Sequence, residues 1–221
     1  MRLRRAISHG LLLSMMLLPN ASGRSGAEPT LPVVPGQSRT LLSDGRWLLV
    51  GGEGGQGPFA TAVIFDPQTS SLTPITQPLL QGRAWHTATV LPDGTVLICG
   101  GVDSGGQVST VLEIFDPTVQ AFHLVPAPGL LPRAEHTATL LTDGRVLFAG
   151  GHSAQGQVLG DAELFNPVTS AVEPVQPLST PRRGATATLL ADGNHRRFRT
   201  RCLRRRRAAR LSSVRVHHSH V

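Results

Sequence analysis

The 221 residues contain no lysine and no tyrosine, and only two cysteines. Every one of the 21 basic side chains counted is therefore arginine. Cys99 and Cys202 have no close spacing, so they make neither a zinc cluster nor a disulfide framework. Cys99 occupies the place held by Val50 and Ala149 in sister segments, which marks it as a small buried residue. No acidic residue follows Asp192. The apolar run Leu11–Leu18 is too short to span a bilayer.

The formal charge of +7 invites a nucleic-acid reading, but its distribution argues against one. Between Ala27 and Gly193 seven arginines face fourteen acids, a net of −7. The remaining arginines lie at the ends: Arg2, Arg4, Arg5 and Arg24, then ten between Arg196 and Arg215. The basic pI describes the ends and gives no basic face to the fold.

The first 27 residues read as a signal peptide. Arg2, Arg4 and Arg5 precede the apolar run, Pro19 breaks it, and Ser25-Gly26-Ala27 supplies the small residues of a cleavage site. The expectation is an exported protein, secreted or periplasmic. No cysteine directly follows the run to carry a lipid, so no membrane attachment is expected after cleavage.

The interior is repetitive. Asp-Gly recurs at Asp44-Gly45, Asp93-Gly94, Asp143-Gly144 and Asp192-Gly193. Gly-Gly recurs at Gly51-Gly52, Gly100-Gly101 and Gly150-Gly151, and Phe-Asp/Asn-Pro at Phe65, Phe115 and Phe165. Arg83 and Arg133 each open an Arg-Ala-x-His-Thr-Ala-Thr stretch, echoed more weakly from Arg182. Each period of about 50 residues reads as four short strands. Asp-Gly predicts a two-residue hairpin turn. Double glycine ends the second strand where no side chain fits. Four antiparallel strands per period make one blade of a β-propeller, and such a blade needs neighbours on both faces. The expected fold class is all-β: three complete blades at 39–81, 82–131 and 132–181, plus the first strand of a fourth at 182–193, forming an open arc.

These motifs, in register three times between residues 39 and 193, resemble the kelch repeat, in particular secreted bacterial kelch proteins related to the propeller domain of galactose oxidase. Val63 departs from the pattern where Glu113 and Glu163 keep it. The copper-radical site that the resemblance brings to mind uses tyrosine ligands and a tyrosine–cysteine cross-link. Without tyrosine none of it carries over, so no cofactor is expected.

The recurring residues Asp93, Gly94, Gly100, Gly101, Asp143, Gly144, Gly150, Gly151, Glu113, Glu163, Arg83, Arg133, His86 and His136 are read as structural. Repetition in every blade suits architecture better than a single active site. Among the recurring Glu113, Glu163, Arg83, Arg133 and Arg182, a buried Glu–Arg pair joining neighbouring blades is expected. His86 and His136 are expected to make strand-end hydrogen bonds; no third ligand recurs with them, so no metal is expected. The stretch Gly52–Gly57 matches G-x-G-x-x-G, but strand-like residues follow where a phosphate site needs a helix N-terminus. A flexible loop is the expectation there.

After Gly193 the pattern stops. Residues 194–221 are expected to be disordered and outside the fold, with a shifted reading frame favoured over an evolved cationic tail. A one-nucleotide shift in the His195 codon permits Ile-Val-Val-Ser-Gly after Asn194, in the register of Val146–Gly150. Leu31–Pro35 is expected to be an outermost strand of the kind that closes a propeller. The functional expectation is a non-catalytic binding module for a protein or carbohydrate, with no nucleic acid and with self-association through exposed blade edges. The alternative is the remnant of an enzyme whose catalytic residues lay in other blades.

Overall fold

The computed structural model describes residues 33–189, and the backbone of Arg197–Cys202 and Ser212–Arg215. The first 27 residues, expected to be a signal peptide, lie outside the described residues. No helix occurs among those described.

The first sheet is built from β1 (Ser38–Leu41), β2 (Trp47–Val50), β5 (Ala62–Asp66) and β6 (Ser71–Pro74), in that order and antiparallel throughout. Between β2 and β5 a small hairpin, β3 (Glu53–Gly54) with β4 (Gly57–Pro58), occupies the glycine-rich stretch. The second sheet comprises β7 (Thr87–Val90), β8 (Val96–Cys99), β9 (Leu112–Asp116) and β10 (Ala121–Val125). The third comprises β11 (Thr137–Leu140), β12 (Val146–Ala149), β13 (Ala162–Phe165) and β14 (Val172–Val175). Strands β15 (Ala185–Leu189), β16 (Arg197–Cys202) and β17 (Ser212–Arg215) form a three-stranded sheet.

Side chains alternate across a strand, so a strand buried on both faces must be apolar at every position. Strand β8 shows this. Its Val96 and Ile98 pack with Leu48, Val50 and Ile64 of the first sheet. Its Leu97 and Cys99 pack with Val146, Phe148 and Phe165 of the third. The sheets therefore stack face to face in chain order. The first strands β1, β7, β11 and β15 lie side by side in sequence, lining the inner edge of the stack.

Three expectations need correction. The Asp-Gly connections are not two-residue turns. Gly45 N donates to Leu42 O at 3.1 Å and Leu42 N to Arg46 O at 2.8 Å, and the same pattern recurs at Leu91 and Leu141. This is a three-residue loop whose last residue, Gly45, Gly94 or Gly144, takes a φ of 84–87°. The aspartate has negative φ; its carboxylate accepts the main-chain N–H two residues on, at Arg46, Thr95 and Arg145.

The described part of Leu31–Pro35 is not a strand. Glu53 N donates to Pro35 O at 2.9 Å, as Val102 N does to Ala84 O and His152 N to Ala134 O. Val34-Pro35 thus holds the place of Arg83-Ala84 and Arg133-Ala134, in the crossover into a sheet. Pro35 has no N–H for a ladder, and Gly36 turns the chain with φ at 66°.

The arginine-rich tail is not wholly outside the fold. Strand β16 pairs with β15 from Ala185↔Cys202 to Leu189↔Phe198, and β17 pairs with β16. Strands β9, β13 and β17 begin at residues 112, 162 and 212, so the 50-residue period persists through the tail. Arginine hides a strand pattern there: Arg197, Arg199 and Arg201 alternate with Phe198, Thr200 and Cys202.

Candidate functional site

Arg83 and Arg133 lie in the crossovers between sheets, and each is bonded on both sides. The main chain of Arg83 belongs to the first sheet's loops: its N–H donates to Phe59 O and its carbonyl accepts from Gly52 N, both at 3.0 Å. Its guanidinium belongs to the second sheet. It donates to Gly100 O at 3.2 Å, to Val111 O at 2.8 Å and to Glu113 at 2.5 Å. Glu113 also accepts from Leu80 N at 2.9 Å. Arg133 repeats this with Gly150 O, Asp161 O and Glu163. Burial pulls the Arg83 pKa down and Glu113 opposes it, so the guanidinium is a charge tolerated through its partners. Arg182 repeats the main-chain half, bonded to Leu159 O and Gly151 N. The residue 30 positions after Arg182, where Glu113 stands after Arg83, is a serine, Ser212. In the first sheet both partners change together: Val34 stands for the arginine and Val63 for the glutamate.

The double glycines make room for these joints. A Cβ on Gly100 would collide with Arg133 O and sit 2.9 Å from the His136 ring; Gly51 has the same relation to Arg83 O and His86. His86 Nε2 lies 2.8 Å from Ser38 Oγ, and His136 Nε2 lies 3.0 Å from Thr87 Oγ1, so each ring ties its inner strand to the preceding one. Both Nδ1 atoms are buried without a hydrogen-bond partner among the described residues. The neutral tautomer with the proton on Nε2 fits, because an orphaned lone pair avoids burying an unpaired N–H. Burial holds His86 down to about pKa 3 and His136 well below its ordinary value, with Arg83 and Arg133 adding repulsion. Where Ala185 replaces the histidine, Thr137 Oγ1 donates instead to Ala149 O at 3.3 Å.

One residue before each histidine position lies a second register, which the repeated motifs do not announce. Gly36, Trp85, Glu135 and Gly184 all take positive φ, at 66°, 62°, 52° and 58°. Their main chains form a relay along the inner edge. Trp85 N donates to Gly36 O at 2.8 Å, Glu135 N to Trp85 O at 3.0 Å, and Gly184 N to Glu135 O at 2.8 Å. These four, with Gln37, His86, His136 and Ala185, line a cavity of about 250 Å³. The indole of Trp85 packs over Gly36, and the Glu135 carboxylate lies over Gly184.

The chain is similar in structure to YjhT, a β-propeller-type protein. That solved structure superposes with a TM-score of 0.64 at 17% identity, over 74% of this chain and 58% of YjhT. The fold is β-propeller-like. No family model and no curated sequence matches the chain. The chain spans about 58% of YjhT's length.

On this propeller-like fold the residues singled out from the sequence separate into three places. Asp93, Gly94, Asp143 and Gly144 sit in hairpin loops away from the cavity. Gly100, Gly101, Gly150 and Gly151, with the Arg–Glu pairs, form the joints. His86 and His136 reach the cavity wall while serving the inner strands. Among the described residues no three His, Cys, Asp or Glu side chains gather as a metal site. The G-x-G-x-x-G stretch is the β3–β4 hairpin and opens no helix. Trp85 and Glu135 escaped sequence reading because neither repeats. The available signal was their position, 49 and 99 residues after Gly36 and flanked by Gly184 in the same register.

Proposed function

We propose that this chain is a non-catalytic binding module, a kelch-type propeller exported from the cell, which holds a protein or carbohydrate partner at the cavity bordered by Trp85 and Glu135. One observation carries the reading. At positions 36, 85, 135 and 184 the backbone conformation is conserved while the side chain changes from glycine to tryptophan to glutamate to glycine. Joint positions repeat their residues; these do not. A non-glycine residue at positive φ costs on the order of 1 kcal/mol, and for tryptophan such a conformation is an outlier. Two such residues side by side, both facing one cavity, fit recognition better than stability. No nucleophile–base pair borders the cavity, and the histidines there are neutral and committed to strand contacts, which favours binding over turnover.

The test presents the full chain on a sensor surface to a panel of oligosaccharides and peptides, beside Trp85→Ala and Glu135→Ala. Binding that depends on both side chains supports the reading. If every ligand found binds the two variants as it binds the parent, the cavity is not the recognition surface.

A further inference from the structure

We infer that the cavity between Trp85 and Glu135 takes a cationic side chain, specifically the guanidinium of an arginine on a protein partner; this rests on the cavity being the recognition surface. The wall contains one aromatic face and one formal charge. Among the described residues that line it, Trp85 is the only aromatic side chain other than the histidines, and Glu135 the only carboxylate. His86 and His136 carry no positive charge to oppose a cation.

An indole face attracts a cation through its quadrupole, and a carboxylate offers a planar guanidinium two parallel acceptors. The Glu135 oxygens accept no hydrogen bond from a described residue within 3.5 Å. Among the described residues, their basic neighbours are Arg183 Nε and His152 Nε2, each at 3.8 Å. Arg183 is half-exposed, so the chain's own guanidinium stands near the carboxylate as a weak internal competitor.

The volume, about 250 Å³, suits one side chain rather than an extended polymer. A neutral sugar would gain the indole face but not the charge.

The test titrates the full chain carrying Trp47→Phe, so that fluorescence reports Trp85 alone. Three probes are used: N-acetyl-arginine amide, its neutral citrulline isostere, and methyl galactoside. The expected result is a saturable response to the arginine probe and one at least about tenfold weaker to citrulline, equivalent to roughly 1.4 kcal/mol. Salt near 1 M, where the Debye length falls to about 3 Å, should weaken it. Glu135→Gln should cost about tenfold, while Arg183→Ala, by removing the competitor, should tighten binding. That tightening is a readout a purely structural role for Glu135 would not give. Equal affinity for arginine and citrulline overturns the inference. A response to galactoside without one to arginine overturns it while leaving the binding-module reading in place. Silence from all three probes also overturns it; the wider reading then falls only if the panel of saccharides and peptides ignores Trp85 as well.

Discussion

Arg83 and Glu113 meet at 2.5 Å with neither side chain exposed to solvent. The arginine reaches Glu113 from a backbone bonded to the preceding sheet, so the pair closes a joint between two sheets. Removing one partner leaves a buried charge alone, which costs about 3–5 kcal/mol. Glu113→Ala should therefore lower unfolding stability by that order. The double variant Arg83→Val with Glu113→Val should be less damaging than either single change, since Val34 and Val63 already fill the corresponding places. Urea unfolding of Arg83→Val, Glu113→Val and the double variant checks this. A double variant as unstable as the sum of the singles would show that the charges are not coupled.

The buried histidines set a pH dependence. Their folded pKa values lie below the unfolded value of about 6.5, so unfolded chains bind protons that folded chains refuse. Stability should be full above pH 6.5 and fall as pH drops toward 3 for His86, by up to about 1.4 kcal/mol per pH unit for each histidine. His86→Gln and His136→Gln should flatten the slope between pH 6.5 and 4.5. An unchanged slope in the double variant would assign the acid sensitivity to carboxylates instead.

Glu135→Gly should stabilise the fold by up to about 1 kcal/mol, because glycine takes positive φ without a steric cost. The same change should abolish binding at the cavity. Thermal unfolding paired with ligand titration separates the two effects. A clear fall in melting temperature would mean that Glu135 is held for packing.

Cys99 is fully buried, and burial pushes its thiol up to about pKa 12. In a Cys202→Ser background it should not react with a thiol reagent at neutral pH until the chain unfolds. Its labelling rate should rise in step with denaturant unfolding. Rapid labelling in buffer alone would show that the second and third sheets separate readily.

The sheets were legible in the sequence because their punctuation is local. Asp-Gly, Gly-Gly and Phe-Asp-Pro each act within a few residues, and their recurrence set the period. A buried Glu–Arg pair was legible as well, since a charge repeated beside apolar strands needs a partner. Which glutamate meets which arginine became clear only from the structure. The loop type was misread because Asp-Gly suits two turns of different length, and cross-strand register decides between them. The pairing of Arg197–Cys202 was hidden by composition: a charge run masked a period of two. Trp85 and Glu135 were missed because repetition was the signal sought, and their significance lies in differing at an equivalent place.

The relay from Gly36 through Trp85 and Glu135 to Gly184 runs entirely through main-chain groups. Side-chain identity at these four places is therefore decoupled from closure of the inner edge, within the limits of positive φ. Asparagine, aspartate and glycine would be accepted most readily, and β-branched residues least. The inner edge thus offers addressable positions, one per repeat, at which recognition can be rewritten without re-engineering the joints beneath.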